Sequence, residues 1–452
     1  MKKSNNTIPS LSPTKGEIED LKKFLSKERF DVATKLAQHL TEKYPKYAQG
    51  WAILSEALKG LNKIEDCINA LKKATELNTD NAFYYAQLGL AQTHLGNLEE
   101  AKQSFFHAID LNPQIIFPYF ALSNFSEDVL DANHLKFLEQ WHLNNELNEK
   151  DRVKLAFTLA NIYKKIKNYQ AAFVMYKKAN ALNRKIYLYD IKKEKRIFEA
   201  IKILETNAKS FFLTKPQSTF TPIFIVGMNR SGSTLVEQII GGATDVYNAG
   251  EIKLLPELIK RNSKRFKTMT ENDVTRIRGQ YISQISKIKD ESCFVTDKLL
   301  QNFKNISIIA RAFPEAKIIH LQRSPQAVCW SNYTCLYVND SHNQSYDLDD
   351  MAAYHNLYTD LMRFWKGKYS DLIYTVKYEK LAENPLEEGK RLFDFLGIQW
   401  EDKFCTSFLD SKKPIRTYSL HQVRKPIYQG SSEEWKNYES NIYPSFNNLI
   451  LD

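Results

Sequence analysis

A short loop rich in glycine, serine and threonine is the part of this sequence best suited to hold an anion. An apolar stretch, 224–226, runs into the loop 227–234, and a helix-like segment, 235–240, leaves it. A strand, a turn of small residues and a helix together aim backbone N–H groups and a helix N-terminus at a group of phosphate size. The sequence therefore predicts an anion-binding loop, with Arg230 as its basic residue.

The amino-acid sequence of this loop differs from the motif of the common nucleotide-binding loop. Gly227 and Gly232 have the spacing of a nucleotide P-loop, but Ser233 stands where that motif requires lysine. The loop therefore lacks the charge that bridges the β- and γ-phosphates of a nucleoside triphosphate. This pattern disfavours a P-loop kinase or NTPase, and an ordinary glycine–serine turn is a further alternative.

A second basic residue follows another predicted strand. The apolar run 317–321 leads into Arg323, and Ser331 lies eight residues later in a helix-like segment, 326–333. Arginine suits a phosphate group because its planar guanidinium can bond two oxygens at once. The pair predicts a second phosphate contact. The alternative is a surface arginine with an unrelated serine on a helix face.

Two more segments follow along the chain. Residues 376–381 are Val-Lys-Tyr-Glu-Lys-Leu, and Tyr378 lies two residues after the end of a predicted strand, 372–376. Near the C-terminus, a basic stretch with proline and aromatic residues extends from Ser419 to Trp435. Its composition predicts a segment that closes over a bound nucleotide.

The four segments occur in the same order as in the sulfotransferases. Over roughly residues 222–438 the sequence therefore resembles that family, above all the protein-tyrosine sulfotransferases. The donor substrate of that family is 3′-phosphoadenosine 5′-phosphosulfate, and its transfer needs no metal. The resemblance implies that the loop holds the 5′-phosphosulfate, that Arg323 and Ser331 hold the 3′-phosphate, and that Tyr378 lies near the adenine nucleotide. The implied donor contacts are Arg230, Ser231, Gly232, Ser233, Thr234, Arg323, Ser331, Tyr378, Ser419, Gln422, Arg424 and Lys425.

Two further residues supply groups that sulfuryl transfer requires. An in-line displacement of this kind needs a base for the acceptor hydroxyl and cations near the transferring group. Glu251 follows a turn about twenty residues after the loop, and Lys298 follows the apolar run 293–295. The resemblance implies that Glu251 is the catalytic base and that Lys298 and Arg230 stabilise charge. A solvated glutamate and a surface lysine are the alternatives.

The chain departs from the tyrosine-sulfating enzymes at two positions. Glu434 precedes Trp435 where those enzymes carry lysine, and Cys335 stands where they carry arginine. The basic residues that could replace the missing charge are Arg424, Lys425 and Lys436. These departures weaken the case for a tyrosine acceptor more than the case for the donor.

The N-terminal half has a repeat of 34 residues. Pro45 and Pro113 are 68 residues apart, and Leu54 aligns with Leu88, Cys67 with Ala101, Leu71 with Phe105 and Ala74 with Ala108. The pattern fits the tetratricopeptide repeat, which forms one helical hairpin per unit. A further unit spans 159–183, the unit within 115–150 is degenerate, and 33–45 resembles part of another. We predict three fair repeats and one or two poor ones, with a helical bundle as the alternative.

Repeats of this kind suggest a role in binding. Stacked hairpins curve into a superhelix whose concave face presents an extended binding surface. Bacterial proteins that join tetratricopeptide repeats to a sulfotransferase domain have the same organisation. We therefore expect the repeats to recruit a peptide or protein acceptor, or to dock a partner.

Composition sets further limits. Net charge is +10, from 63 basic and 53 acidic residues, without a compact basic tract, so a polyanionic donor explains the excess and nucleic acid is not an expected partner. The five cysteines are scattered without the spacing of zinc ligands or disulfides, and no metal is expected. The sequence shows neither a signal peptide nor an apolar run of membrane-spanning length, so we expect a cytoplasmic, bacterial enzyme without membrane contact.

The expected organisation has three parts: a disordered N-terminus, 1–15, a tetratricopeptide-repeat helical domain, 16–213, and an α/β sulfotransferase domain with a mostly parallel sheet, 214–452. The predicted function is transfer of a sulfuryl group from 3′-phosphoadenosine 5′-phosphosulfate to a hydroxyl. A peptide or protein tyrosine is the first expected acceptor, and a carbohydrate or small metabolite stays open. The alternative is a repeat-based adaptor whose C-terminal domain binds a nucleotide without catalysis.

Overall fold

The computed structural model of this chain forms two compact units. It describes residues 12–125, 129–144, 147–208, 211–213, 220–262, 269–337, 340–407, 409 and 429–451. Within these ranges, the first unit ends at Lys165 and the second begins at Ile166.

The first unit is built from helices joined by short turns. Its helices are α1 (Lys15–Ser26), α2 (Phe30–Lys43), α3 (Ala48–Gly60), α4 (Ile64–Leu77), α5 (Ala82–Leu95), α6 (Leu98–Leu111), α7 (Ile116–Ser123), α8 (Ala132–His142) and α9 (Glu149–Lys165). Successive helices pack as hairpins, and α3 with α4 and α5 with α6 repeat the same arrangement at the predicted period. The helical hairpins expected from the repeat are therefore present.

Small residues allow the helices of one hairpin to approach closely. A Cβ atom added at Gly89 in α5 would lie 2.7 Å from the ring of Phe105 in α6. The side chain of Asn81 accepts the N–H groups of Phe83 and Tyr84 and so caps the start of α5, while Gly96 ends it with φ of 94°. These local signals make the hairpin regular.

The second unit contains a parallel sheet. Its strands are β1 (Thr221–Gly227), β2 (Val246–Asn248), β3 (Phe294–Asp297), β4 (Lys317–Gln322) and β5 (Ile373–Lys377), in the spatial order β2-β3-β1-β4-β5. Its helices are α10 (Tyr169–Ile186), α11 (Ile191–Asn207), α12 (Ser233–Ile240), α13 (Leu254–Asn262), α14 (Glu271–Ile285), α15 (Ile306–Ala312), α16 (Pro325–Tyr333), α17 (Leu348–Lys368), α18 (Tyr378–Glu383), α19 (Pro385–Leu396) and α20 (Glu439–Phe446). All the described strand pairs are parallel, which confirms the predicted α/β class.

Both faces of the sheet are covered by helices, because the connections between its parallel strands carry helices across them. Side chains that alternate along a strand therefore pack on both sides. Ile223 and Ile225 of β1 pack into an apolar cluster with α12 and α19. Phe224 points to the opposite face, where its ring lies 5.8 Å from that of Tyr281 in α14 and 5.7 Å from that of Phe313. β2 was not predicted, since Val246-Tyr247-Asn248 does not form an apolar run.

Helices α10 and α11 pack within this second unit. Phe173 and Tyr176 of α10 lie against Trp330 of α16, with ring centroids 6.3 Å and 6.0 Å apart. The side chain of Asn180 donates to the carbonyl oxygen of Tyr333 at 2.8 Å. α10 therefore packs against α16, the helix that carries Ser331.

Candidate functional site

The carboxyl ends of the five strands deliver the predicted site residues to one edge of the sheet. The loop with Arg230 follows β1, Glu251 follows β2, Lys298 follows β3, Arg323 follows β4 and Tyr378 follows β5. Because all five strands are parallel, their carboxyl ends lie at the same edge, where ligands bind in open α/β sheets. The fold alone therefore gathers these side chains.

The loop after β1 has a backbone shaped for an anion. Arg230 and Gly232 take φ of 68° and 95°, and α12 begins immediately afterwards with Ser233 and Thr234 in its first turn. Left-handed residues within such a turn bring successive N–H groups to one side, and the first N–H groups of a helix have no intrahelical partner. The loop thus presents backbone donors and a helix N-terminus together.

Two features of the loop suit a tightly held ligand. Ser231 is 1% exposed, and among the described residues its hydroxyl has no hydrogen-bond partner. A buried hydroxyl of this kind normally has one, so an incoming oxygen atom is a suitable partner. Gly232 packs against Tyr378, whose ring a Cβ atom at that position would overlap.

Arg230, Ser331 and Arg323 form one hydrogen-bonded cluster. The Nε of Arg230 donates to the Oγ of Ser331 at 3.0 Å, and the guanidinium of Arg323 donates to the carbonyl oxygen of Arg230 at 2.7 Å. The guanidinium of Arg323 also lies 4.8 Å from the ring centroid of Tyr378. The structure therefore brings together four of the residues that the sequence assigned to the donor: Arg230, Arg323, Ser331 and Tyr378.

The described end of the predicted closing segment reaches the same cluster. Arg323 donates to the carbonyl oxygen of Ser431 and, at 3.1 Å, to the Oγ of Ser432. Ser432 in turn donates to Glu379 at 2.7 Å, and the hydroxyls of Tyr378 and Ser431 are 2.8 Å apart. Ser432 and Glu379 were not predicted, since only their spatial proximity marks them. Four predicted donor contacts, Ser419, Gln422, Arg424 and Lys425, lie outside the described residues.

A histidine that the sequence analysis missed lies beside the loop. The side-chain amide of Asn229 is 2.9 Å from Nε2 of His342, and the ring of Tyr337 is 4.4 Å from that of His342. Burial, together with the charge of Lys304, lowers the pKa of His342 to about 4. His342 is therefore neutral near pH 7 and supports the loop as a hydrogen-bonding group.

Lys298 and Glu251 meet at the ends of β3 and β2. Nζ of Lys298 lies 3.5 Å from Glu251 and 3.2 Å from Glu237 of α12. Lys298 is 2% exposed, whereas the side chain of Glu251 is 55% exposed. The pair combines a buried lysine with an accessible carboxylate. Glu237 was missed, although a charged residue within the apolar run of α12 was a usable signal.

Asp297 fixes the backbone just before Lys298. It is fully buried and accepts the hydroxyl of Tyr281 at 3.0 Å and the N–H of Leu299 at 3.1 Å. Burial raises the pKa of Asp297 to about 7, and the nearby charge of Glu237 adds to the rise. Its role here is to hold the end of β3.

A cavity of about 230 Å³ adjoins the donor cluster. Its lining includes Ser231, Arg323, His320, Tyr358 and Lys377. The space lies at the carboxyl end of β4, next to the unpartnered hydroxyl of Ser231. It therefore extends the anion-binding edge rather than forming a separate site.

The described part of the chain has neither a cluster of metal-binding side chains nor a helix suited to span a membrane. No group of three or more His, Cys, Asp or Glu side chains is arranged to hold a metal ion there. None of the helices in those ranges has the length and apolar character needed to span a membrane.

The chain is similar to known proteins in two regions. Residues 222–402 match the sulfotransferase family, and residues 48–81, 84–115 and 153–186 match the tetratricopeptide repeat. The three matched repeats are the three fair repeats of the sequence analysis, which confirms that prediction.

Among the similar proteins, an uncharacterized protein of Aquifex aeolicus is 27% identical over 420 residues, which are 89% of this chain and 54% of that protein. This chain thus spans about half the length of that relative. A putative protein-tyrosine sulfotransferase of Caenorhabditis briggsae is 26% identical over 227 residues, which are 47% of this chain and 80% of that protein.

Among solved structures, the sulfotransferase domain of a Synechococcus olefin synthase aligns with 50% of this chain and 91% of that domain, with 19% identity and a TM-score of 0.36. The sequence matches carry the assignment. Residues 222–402 therefore form a sulfotransferase-family domain, and tetratricopeptide repeats precede it in the chain.

Proposed function

We propose that this protein transfers a sulfuryl group from 3′-phosphoadenosine 5′-phosphosulfate to a hydroxyl of a peptide or protein. The observation that carries the proposal is the arrangement at the carboxyl edge of the sheet. There, the Lys298–Glu251 pair lies at the ends of two strands, and the cluster of Arg230, Arg323 and Ser331 lies beside the loop. The Lys298–Glu251 pair has the cation and the base that an in-line displacement needs. The cluster of arginines and serine has hydrogen-bond donors for two phosphate groups.

In the proposed reaction, the donor supplies an activated sulfuryl group attached through an oxygen to its 5′-phosphate. Glu251 takes the proton of the acceptor hydroxyl while that oxygen bonds to sulfur and the bond from sulfur to the phosphate oxygen breaks. Lys298 and Arg230 stabilise the charge that gathers on the transferring group and the departing phosphate. The leaving product is 3′-phosphoadenosine 5′-phosphate.

The residues present fit this donor. The unpartnered hydroxyl of buried Ser231 and the backbone of the loop suit the 5′-group. Arg323 offers a planar guanidinium and Ser331 a hydroxyl for the 3′-phosphate. Tyr378 packs beside Arg323 and is the proposed contact of the adenine nucleotide. Ser419, Gln422, Arg424 and Lys425 are proposed to complete the contacts.

The acceptor is proposed from the domain organisation. Tetratricopeptide repeats expose surfaces for extended peptides, and a putative protein-tyrosine sulfotransferase is among the similar proteins. A tyrosine in a peptide or protein held by the repeats is therefore the proposed acceptor. A cytoplasmic location is part of this proposal.

Ligand-dependent thermal stability tests the donor first. At 100 times its dissociation constant, 3′-phosphoadenosine 5′-phosphate should stabilise the fold by about 2.7 kcal/mol, whereas AMP and Mg-ATP at the same concentration should not. Stabilisation by Mg-ATP instead would favour the alternative of a P-loop kinase. Stabilisation by the bisphosphate without turnover of the donor would favour the adaptor.

Turnover tests the assignment of the base. Replacing Glu251 by Gln should lower kcat for sulfation of a tyrosine peptide by about 10²- to 10⁴-fold. The matched control is Glu257→Gln, since Glu257 is an exposed glutamate of α13 that pairs with Arg261. A Glu251→Gln enzyme with the kcat of the control would refute the assignment of Glu251.

A further inference from the structure

Glu237 is a carboxylate in an apolar setting. It lies on α12 between residues of the sheet core, Val236 and Ile239, and is 4% exposed. Burying a charged carboxylate is costly unless it is paired and hydrogen bonded. Its position in the core therefore depends on the partners that surround it.

Those partners are groups of the catalytic edge. The carboxylate of Glu237 lies 3.2 Å from Nζ of Lys298, and its second oxygen lies 3.4 Å from the hydroxyl of Thr296. Its carbonyl oxygen accepts the side-chain amide of Asn248 at 3.2 Å. Thr296 belongs to β3 and Asn248 to β2, the strands that lead to Lys298 and Glu251. Glu237 is thus tied to both strand ends.

The arrangement has one cation and two carboxylates. Lys298 is buried between Glu237, which is also buried, and Glu251, whose side chain is 55% exposed. If Glu251 alone neutralised Lys298, protonating Glu251 during the reaction would leave the ammonium unpaired in a buried position. With Glu237 in place, Lys298 keeps a counter-ion throughout.

We propose that Glu237 is a positioning residue for sulfuryl transfer: it anchors the Lys298 ammonium at the reacting edge and neutralises it, which leaves Glu251 to act as the base. The inference rests on the proposed function, since it assigns Glu237 a part in that reaction. Glu237 does not touch the substrates and acts through Lys298.

The first test compares Glu237→Gln, which keeps the size of the side chain and removes its charge, with the surface control Glu257→Gln. We expect Glu237→Gln to lower kcat about 10²-fold, the order of effect expected when a reacting group is slightly misplaced. The affinity for 3′-phosphoadenosine 5′-phosphate should stay at the control value, because its proposed contacts lie in the other cluster. An active enzyme whose kcat is unchanged by Glu237→Gln would overturn the inference and leave the proposed function standing.

The second test needs no turnover. Acetic anhydride labelling followed by mass spectrometry reports how reactive the Lys298 amine is, and Lys304, paired with Glu194 at 3.2 Å, serves as the internal reference. A buried ammonium that loses its counter-ion moves toward water or gives up its proton. We therefore expect Glu237→Gln to raise labelling of Lys298 at fixed pH and to leave Lys304 unchanged. Unchanged labelling of Lys298 would overturn the inference.

The two tests separate the inference from the proposed function. If the wild-type protein shows no sulfation but Lys298 labelling rises in Glu237→Gln, the proposed function is wrong. The role of Glu237 in catalysis is then wrong as well, and the anchoring of Lys298 by Glu237 stands.

If Glu237→Gln does not fold, the double variant Glu237→Gln/Lys298→Met tests the pairing of Glu237 with Lys298. It removes both charges and should recover folding, because the single variant leaves the buried cation with the exposed carboxylate of Glu251 alone. A double variant that stays unfolded would overturn the pairing.

Discussion

Arg323 connects three segments at the carboxyl edge of the sheet through one guanidinium. It donates to the carbonyl oxygen of Arg230 in the loop and to Ser431 and Ser432 near the C-terminus, and it lies over the ring of Tyr378. A flat, forked cation can make these contacts simultaneously, whereas an ammonium group is a point charge. The geometry therefore depends on arginine rather than on positive charge alone.

The change Arg323→Lys tests this dependence. We expect the affinity for 3′-phosphoadenosine 5′-phosphate to fall by about 1.5–3 kcal/mol, the usual value of a hydrogen bond to a charged group. AMP, which lacks the 3′-phosphate, should bind wild type and variant alike. Isothermal titration calorimetry measures both ligands, and Arg391→Lys, a change of an exposed side chain on α19, is the control. An equal loss for both ligands would show that Arg323 supports the loop and does not recognise the 3′-phosphate.

Residue patterns predicted the loop better than its surroundings. Arg230, Lys298 and Arg323 each follow an apolar run, and a run of that kind identifies a strand and hence a position at the sheet edge. Glu237 and His342 carry no such local pattern. Their contacts with Lys298 and Asn229 join residues far apart in the chain, and the sequence alone does not show such proximity.

At the scale of elements, α11 is attached to the sheet unit by a buried charge network. The carboxylate of Glu205 on α11 is 2% exposed and accepts the guanidinium of Arg311 on α15 at 2.7 Å and the hydroxyl of Tyr369 at 2.7 Å. Lys368 of α17 lies 2.6 Å from the same carboxylate. Burial on its own would raise the pKa of Glu205, but the hydrogen bonds from these groups outweigh it and lower the pKa to about 2.

This network predicts a pH-dependent contribution to stability. A carboxyl group whose pKa is lower in the folded state stabilises the fold above its unfolded pKa, and the contribution is lost as pH falls through the folded pKa. Replacing Glu205 by Gln should therefore cost about 3 kcal/mol of unfolding free energy at pH 7. The difference from wild type should shrink between about pH 4.5 and pH 2.

Urea unfolding at a series of pH values measures this difference. Glu199→Gln, an exposed glutamate on the same helix, is the control and should behave as wild type throughout. A cost for Glu205→Gln that stayed constant down to pH 2 would mean that packing, and not the charge of the carboxylate, holds α11 in place.

Apolar composition explains where the sequence predicted the strands and where it did not. The runs at 224–226, 317–321 and 372–376 are mostly apolar, and the structure has β1, β4 and β5 there with ends shifted by a few residues. β2 has three residues. Its backbone pairing with β3 holds it in the sheet as a strand, which its own composition does not predict. The repeats were predictable because one helical pattern recurs and each occurrence supports the others.

At the scale of the whole molecule, the family match and the compact units divide the chain at different places. The sulfotransferase match begins at residue 222, whereas the compact unit that contains the sheet begins at Ile166 and includes α10 and α11. The match to the repeat family at 153–186 includes α10. One helix therefore has the sequence of a repeat and packs against the helix that carries Ser331.

The packing of α10 and α11 predicts which fragment of the chain folds on its own. A fragment of residues 166–452 keeps the aromatic contacts of Trp330 and the partners of buried Arg311. A fragment that starts at the predicted domain boundary, residue 214, removes Phe173, Tyr176 and Glu205 together. It exposes the face of Trp330 and leaves Arg311 without its carboxylate, which is strongly destabilising for a buried pair.

We expect fragment 166–452 to melt in one cooperative transition and to be stabilised by 3′-phosphoadenosine 5′-phosphate as the full chain is. Fragment 214–452 should aggregate or melt without a cooperative transition. Differential scanning calorimetry on both fragments and the full chain makes the comparison. If fragment 214–452 melted cooperatively at the temperature of fragment 166–452, then α10 and α11 would contribute nothing to the sheet unit. The contacts of α10 with the helix that carries Ser331 would then add nothing to the stability of the sheet unit.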